Sequence, residues 1–185
     1  GHGQDAKALG DATCNDWMKD THNAIDIGRV IGDDVILIGC STGCSLIHAS
    51  LEHLKTIKAV IYVSPNFGPN SYKGQLLRAP GARWLIPLLF GKEHSFIPKN
   101  AEHERCWTTS YPSKVLFAVK DSVVFAHKVK HSKIKVPVLF WFSDEDQIVS
   151  AKATRRVIAK MGDNASVHNP LLTSEDDSSK HGILG

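Results

Sequence analysis

The sequence predicts an α/β fold in which a parallel sheet carries helices on both faces. Three short apolar stretches, rich in β-branched residues, are typical of strands buried on both faces: 35–38, 57–63 and 136–142. Segments with the spacing of amphipathic helices alternate with them at 13–31, after Gly43 and at about 150–161. A regular alternation of strands and helices favours parallel strands joined by helical crossovers.

The first helix is predicted from apolar positions that share one face, and it ends at a turn. Those positions are Trp17, Ala24, Ile25, Gly28 and Ile31, and Gly32-Asp33-Asp34 follows them. A weaker strand is predicted around 165–171. Between about 66 and 135 the pattern changes to Pro, Gly and Asn with helical apolar clusters. That stretch is too long for a plain loop, so we expect an insertion with helices of its own.

Length and composition indicate one soluble globular domain. The 185 residues are 42% hydrophobic and 22% charged, and a chain of this length buries roughly 70% of the surface that its unfolded form exposes. The 22 basic and 19 acidic residues give a formal charge of +3 and form no long block of one sign. We therefore expect no nucleic-acid partner.

Four cysteines form no C-x-x-C pair, which favours free thiols in a reducing compartment: Cys14, Cys40, Cys44 and Cys106. The start of the chain lacks the basic and apolar regions of a signal peptide, and no later run approaches the length of a membrane span. These features predict a cytoplasmic location with no membrane span.

A G-x-S-x-G motif occupies 39–43, as Gly39-Cys40-Ser41-Thr42-Gly43. It directly follows a predicted buried strand and opens a predicted helix, which is the setting in which two glycines permit a sharp turn that exposes the serine hydroxyl. The alternative is a Gly/Ser turn that merely caps the helix.

A nucleophilic serine needs a histidine base and a carboxylate that orients the histidine. In this architecture the chain order is nucleophile, acid, histidine. Asp146 follows the third predicted strand and His181 follows the last one. Both positions lie beyond the carboxyl ends of strands, where open α/β sheets bind ligands.

These motifs resemble the α/β-hydrolase family, and specifically its capped serine esterases and lipases. The family commonly places its acid in a strand-G-x-x-D-x-x-V context, which 143–149 match except that Ser143 replaces the glycine. That match selects Asp146 over Asp144 and Glu145, which are expected to be solvated loop charges. His181-Gly182 is similar to the family's histidine at the start of its last helix.

The resemblance implies a serine hydrolase of carboxylic esters that forms an acyl-enzyme and needs no cofactor. Ser41 would be the nucleophile, His181 the base, Asp146 its orienting acid, and Thr42 the source of one oxyanion N–H. It assigns 1–65 and 136–185 to a partial α/β-hydrolase core and 66–135 to a cap, with a small-molecule ester as the partner. Thioesterases and carbon-carbon bond hydrolases share the same triad, whereas an epoxide hydrolase would need an aspartate at the elbow.

One departure from the family lies at the start of the chain. Relatives usually carry a G-H-G triplet about 40 residues before the nucleophile, and His2 lies 39 positions before Ser41. This assigns Gly1-His2-Gly3 to that loop and places the first strands, with the second oxyanion donor, outside the chain. In the rival alignment His2-Gly3 is the oxyanion loop itself. The absence of the first strands is the ground for the alternative function, a non-catalytic binding protein with the α/β-hydrolase fold.

The same departure predicts an open sheet edge. Without an earlier neighbour, the strand at 35–38 would present unpaired backbone groups to solvent. We therefore expect a homo-oligomer, or a separate chain that complements the sheet, at this edge.

The other histidines suggest no metal site. His127 and His131 are spaced i,i+4, but neither an H-E-x-x-H pattern nor a third ligand accompanies them.

Overall fold

The structure is a computed structural model, and it describes most of the chain. The described residues are 4–51, 56–71, 74, 76–82, 84, 86, 88, 91–98 and 100–183. The strands are β1 (Val35–Cys40), β2 (Ile57–Val63), β3 (Glu93–Ser95), β4 (Ser110–Pro112), β5 (Val138–Trp141) and β6 (Ala165–His168). The helices with complete bounds are α1 (Ala6–Asp11), α2 (Cys14–Ile31), α3 (Thr42–Ser50), α4 (Ala101–Cys106), α5 (Val115–Lys128) and α6 (Ala151–Met161).

The main sheet has the order β1-β2-β5-β6, and all its neighbouring strands are parallel. Helices separate these strands along the chain, so the predicted α/β class with a parallel sheet and flanking helices is confirmed. Because the strands run in the same direction, their carboxyl ends lie at one edge of the sheet. The segments that follow β1, β2, β5 and β6 therefore meet there.

Helix α2 begins at a capping box, in which the Thr13 hydroxyl accepts from the Asp16 N–H and the Asp16 carboxylate accepts from the Thr13 N–H. It ends at Gly32, as the sequence predicts. The predicted strand at 57–63 has the same bounds in the structure, and the last strand is shorter than predicted because it ends at His168.

The core of the sheet is mainly aliphatic and aromatic. Tyr62, Phe67, Phe140 and Phe142 are almost completely buried, and their rings lie among side chains from α3 and α6. The Tyr62 and Phe140 rings make an edge-to-face contact with centroids 5.2 Å apart. This packing fixes the strands whose ends carry the site.

The segment predicted as a cap at 66–135 has two parts in the structure. Its earlier part contains the antiparallel pair β3 and β4, and Ala82 and Ile86 form a small apolar cluster there with Phe117 of α5. Its later part does not follow the predicted boundary at 135. Helix α5 packs against α3, and the main core contains Ala126 of α5 together with Val129 and Ile134, which follow the helix. Helix α5 thus joins the layer of helices that contains α3, and a cap over the earlier part stays a prediction.

Strand β1 is the edge strand of the main sheet within the described residues, where it pairs with β2 alone. The side chains of Ile36 and Ile38 are 56% and 67% exposed. Val30 and Ile31, at the end of α2, are more than 80% exposed as well. In the described part of the chain, exposed apolar side chains therefore accompany this edge strand.

Candidate active site

Ser41 lies in a strained turn between β1 and α3. Its φ of 50° and ψ of −115° place a non-glycine residue in the left-handed half of backbone space, which costs on the order of 1–3 kcal/mol. Backbone hydrogen bonds hold the turn, because the Ser41 N–H donates to the Val63 carbonyl at 2.9 Å and the Ser41 carbonyl accepts from Asn66 N–H at 3.1 Å. The predicted elbow context, a turn between strand β1 and helix α3, is present. The prediction that β1 is buried on both faces is wrong, because Ile36 and Ile38 are exposed on one face.

The first glycine of the motif is required by close packing. A Cβ at Gly39 would lie 2.9 Å from Ile47 Cδ1 and 3.0 Å from the Cys44 nitrogen, so only glycine allows α3 to approach β1 this closely. Packing does not require the second glycine of the motif, Gly43, because a Cβ there would meet open space. Gly43 lines a cavity beside Ser41.

The structure brings together the three side chains that the sequence predicts. His181 Nε2 lies 3.1 Å from Ser41 Oγ, and His181 Nδ1 lies 2.8 Å from Asp146 Oδ2. The Asp146 side chain is 1% exposed and that of His181 is 19% exposed. With the proton on Nδ1 donated to the carboxylate, Nε2 is free to accept the serine proton.

Asp146 is oriented by its own loop. Its Oδ1 accepts from the backbone N–H groups of Ile148 and Val149 at 2.8 and 2.9 Å, which leaves Oδ2 for the histidine. The Asn70 amide donates to the Asp146 backbone carbonyl at 2.9 Å. Charge-assisted hydrogen bonds of this kind hold a carboxylate in one orientation.

The acidic neighbour Asp144 is engaged elsewhere. Its carboxylate forms a two-pronged ion pair with Arg155 and accepts from the Asn169 amide at 3.0 Å. The hydrogen bond and charge of Arg155 lower the pKa of Asp144. Asp144 therefore lies away from His181 and bonds to a different element of the fold.

His181 is held by residues that the sequence analysis did not identify. The Asp177 carboxylate accepts from the N–H groups of His181 and Gly182 at 3.2 and 2.8 Å. The Ser64 hydroxyl, which follows β2, donates to the His181 carbonyl at 2.6 Å. His181 lies in irregular structure within the described residues rather than at the start of a helix. An aspartate four residues before a histidine is too common a pattern to have revealed this role.

Thr42 is the first residue of α3, so its N–H has no intrahelical acceptor and points from the positive end of the helix. Its hydroxyl accepts from the Asn66 amide at 3.4 Å. Gly1-His2-Gly3, part of which the rival alignment predicts to be the oxyanion loop, lies outside the described residues.

Two thiols flank the serine without competing for its role. Burial, and then the negative charge of Asp146, raise the pKa of Cys40. Burial also raises the pKa of Cys44 well above its usual value, and the Cys44 thiol donates to the Gly39 carbonyl at 3.1 Å. Both thiols stay protonated near neutral pH, and a protonated thiol is a poor nucleophile.

A cavity of about 690 Å³ opens beside Ser41 and is predominantly apolar. Val115, Val119 and Val123, one turn apart on α5, form one wall. Leu9 of α1 and Trp17 of α2 line it as well. The charged lining residue is Lys120, which pairs with Asp121 at 2.8 Å. The cavity therefore suits an aliphatic or aromatic group attached to a carbonyl at Ser41.

Among the described residues, no group of three or more His, Cys, Asp or Glu side chains is arranged to hold a metal ion. In the same part of the chain, no helix has the length and apolar character needed to cross a membrane.

The strand-turn-helix elbow and the parallel sheet define a protein of the α/β-hydrolase class. The chain matches the family model Hydrolase_4, described as "Serine aminopeptidase, S33", over residues 1–169, and it belongs to this family. Ser41 and Asp146 lie within the matched range, and His181 lies beyond it. A search of curated proteins gives no significant match.

Solved structures of lipolytic enzymes share the fold. A structure from work on LipS and LipT, two metagenome-derived lipolytic enzymes, has a TM-score of 0.75 at 17% identity, covering 92% of this chain and 69% of that one. The monoacylglycerol lipase of Paleococcus ferrophilus has a TM-score of 0.62 at 20% identity, covering 86% and 66%. A soluble variant of the Saccharomyces cerevisiae monoglyceride lipase has a TM-score of 0.62 at 12% identity, covering 94% and 64%. The chain thus spans about two thirds of the length of these structures.

Proposed function

We propose that this chain carries the reaction centre of a serine hydrolase that cleaves carboxylic esters of apolar acids. The hydrogen-bonded series Ser41–His181–Asp146 at the mouth of an apolar cavity carries this proposal. A strained serine, a histidine within reach of its hydroxyl and a buried carboxylate behind that histidine are the groups that acyl transfer requires.

In the first half of the proposed reaction, Ser41 Oγ attacks the ester carbonyl carbon while its proton passes to His181 Nε2. The carbonyl π electrons move to the oxygen, and the Thr42 N–H donates to the resulting oxyanion. When the intermediate collapses, the bond to the alcohol oxygen breaks, and that oxygen takes the proton from His181. The product is an alcohol and an acyl-enzyme on Ser41.

In the second half, a water molecule gives its proton to His181 and attacks the acyl carbon. Collapse of this intermediate releases the carboxylic acid and returns the proton from His181 to Ser41 Oγ. Asp146 keeps the imidazole in the required tautomer and stabilises its charged form throughout. No step needs a cofactor.

An ester substrate is favoured over the free amino terminus that an aminopeptidase binds. Recognition of an ammonium group needs a carboxylate or a ring of carbonyls near the scissile bond. The described lining of the cavity contains the cation Lys120 and no Asp or Glu side chain. The apolar wall of α5 instead complements the acyl part of an ester.

The test is covalent labelling of the purified chain with a fluorophosphonate probe. We expect labelling of the wild type and none of Ser41→Ala, whereas Ser174→Ala, an exposed serine outside the site, should label normally. Labelling that persists in Ser41→Ala would rule out Ser41 as the nucleophile. A chain that takes up no label and turns over no ester, even when a segment that can pair with β1 is added, would favour the non-catalytic binding protein.

A second test addresses the acyl group. Val119→Phe places a bulky ring in the cavity, so kcat/KM for a long-chain aryl ester should fall while that for the acetate ester stays near the wild-type value. Equal loss for both esters would place the acyl chain elsewhere. Parallel assays with acyl thioesters distinguish a thioesterase, which uses the same triad.

A further inference from the structure

A second, basic depression lies apart from the cavity beside Ser41 and shares no lining residue with it. It has a volume of about 410 Å³ and forms where the end of α5, the turn His131–Lys133 and the end of α6 meet. Its lining residues are His127, Val129, Lys130, His131, Ser132, Lys133 and Lys160. No carboxylate is among them.

The cations of this depression are not neutralised by the protein. Within the described part of the chain, no ion pair involves Lys130, Lys133 or Lys160. Three lysines line a small concave surface and create a positive potential that attracts anions, although the carboxyl ends of α5 and α6 reduce it. The depression therefore has the charge of an anion site.

A buried hydrogen-bonded series leads from the core to this depression. The Tyr62 hydroxyl lies 3.2 Å from His48 Nδ1, and His48 Nε2 lies 2.8 Å from His131 Nδ1. Tyr62 and His48 are fully buried, and His131 is 6% exposed. Burial lowers the pKa of His48 to about 3, so His48 is a neutral imidazole with a single N–H.

His131 is left with one free ring nitrogen, Nε2. Among the described residues, Trp141 Nε1 is the side-chain nitrogen or oxygen that is both fully buried and without a hydrogen-bond partner. His131 Nε2 is not such an atom although no hydrogen bond is made to it, so it reaches solvent. Since Nδ1 points inward to His48, Nε2 belongs to the ring edge that lines the depression. His127 on α5 and Lys160 on α6 face the same ring, and their charges add to burial in lowering the pKa of His131.

We propose that this depression binds a phosphate group, with His131 Nε2 and the ammonium groups of Lys133 and Lys160 as its donors. Lysine binds phosphate as a point charge, and a phosphate has enough peripheral oxygens for several donors at once. The shared chemistry is that of a free phosphate or a phosphomonoester headgroup.

Binding is linked to protonation of His131. A dianion next to Nε2 favours the imidazolium, which donates from Nε2 to the phosphate and from Nδ1 to His48 Nε2. His48 then carries its proton on Nδ1 and donates to the Tyr62 oxygen. The buried series can accept this change by a tautomer shift in His48, in which the Tyr62 oxygen becomes the acceptor and its O–H proton loses the His48 partner.

The experiment follows the His131 ring by NMR during titration with sodium orthophosphate at constant ionic strength, because added salt would itself screen the lysines. We expect a saturable shift and a raised pKa of His131. The double variant Lys133→Gln/Lys160→Gln should bind phosphate about tenfold more weakly, since two charge-assisted contacts are lost. Lys152→Gln removes an exposed lysine from the same helix, α6, away from the depression and should bind as the wild type does.

A parallel arm uses phosphatidylcholine vesicles with and without phosphatidic acid. Binding to phosphatidic acid that orthophosphate displaces identifies a lipid headgroup as the source, and binding to orthophosphate alone identifies a free phosphate. The proposal is overturned if millimolar orthophosphate and phosphatidic acid leave His131 unchanged, if acetate competes equally well, or if the double variant retains the wild-type affinity. None of these readouts depends on ester hydrolysis.

Discussion

The Ser64 hydroxyl donates a hydrogen bond of 2.6 Å to the backbone carbonyl of His181, a residue 117 positions later in the chain. Ser64 itself adopts a φ of 45° at the end of β2. On the other side of the same loop, the Asp177 carboxylate accepts the His181 N–H. The histidine backbone is thus held from both sides, which fixes the distance of its ring from Ser41.

Asp177→Asn tests whether this loop positions the histidine. Oδ1 of Asp177 accepts from the Ser179 N–H, and Oδ2 accepts from the His181 and Gly182 N–H groups. An asparagine keeps one acceptor oxygen, so its NH2 group would face one of these donor sets and the loop that holds His181 should shift. We expect a loss in kcat on the order of 10- to 100-fold with KM nearly unchanged, because a small misplacement of a reacting group is costly. Steady-state kinetics on an aryl ester measures it.

Asp176→Asn is the matched control, because the Asp176 carboxylate accepts from Thr173 and not from His181. It should retain wild-type kcat. Equal losses in both variants would indicate a general loosening of the loop rather than a positioning role.

Asp146→Asn and Asp144→Asn separate the two acidic residues of the loop after β5. Asp146→Asn should keep the fold but present the wrong histidine tautomer, with a loss on the order of 10,000-fold in turnover. Asp144→Asn breaks a largely exposed ion pair with Arg155 and should change stability by about 1 kcal/mol or less. Turnover assays and thermal melts measure both effects. A larger loss of turnover in Asp144→Asn than in Asp146→Asn would identify Asp144 as the acid that orients the histidine.

The open edge at β1 is expected to promote self-association, or pairing with a complementing chain. Ile36 and Ile38 are exposed apolar residues on one face of this strand. Ile36→Lys/Ile38→Lys should shift the sedimentation coefficient at micromolar concentration toward that of a monomer. Leu171→Lys, at a fully exposed leucine away from the edge, should not. A wild-type chain that is already a compact monomer with full turnover would contradict this expectation.

The buried His48 should make stability depend on pH. Its pKa is about 3 in the folded chain and about 6.5 in the unfolded chain, so the unfolded state takes up a proton first as the pH falls. This single group should lower the free energy of unfolding by about 1.4 kcal/mol per pH unit between roughly pH 6 and pH 3. Urea unfolding at a series of pH values measures the slope.

His48→Gln should be less stable than the wild type near neutral pH, because Tyr62 and His131 lose their partner, yet it should show a flatter slope in this window. His22→Gln, at an exposed position, should keep the wild-type slope. An unchanged slope in His48→Gln would mean that other groups dominate the acid sensitivity.

The α/β class, the elbow and the three candidate site residues could be predicted from the sequence. A central parallel strand leaves a continuous apolar run in the sequence, as at 59–63. Gly39, which close packing requires, stands in a short local motif. Asp146 and His181 could be predicted because parallel strands bring their following loops to one edge, which is a rule of topology rather than of detailed packing.

The groups that hold these residues in place, and the position of the basic depression, depend on contacts between distant parts of the chain. Ser64 and Asp177 contact His181 through single hydrogen bonds that no local pattern signals, and α5 entered the core because its apolar face fits α3. The approach of His48 to His131 joins residues 83 positions apart. Such contacts depend on the exact separation of packed elements, which periodicity along a chain does not encode.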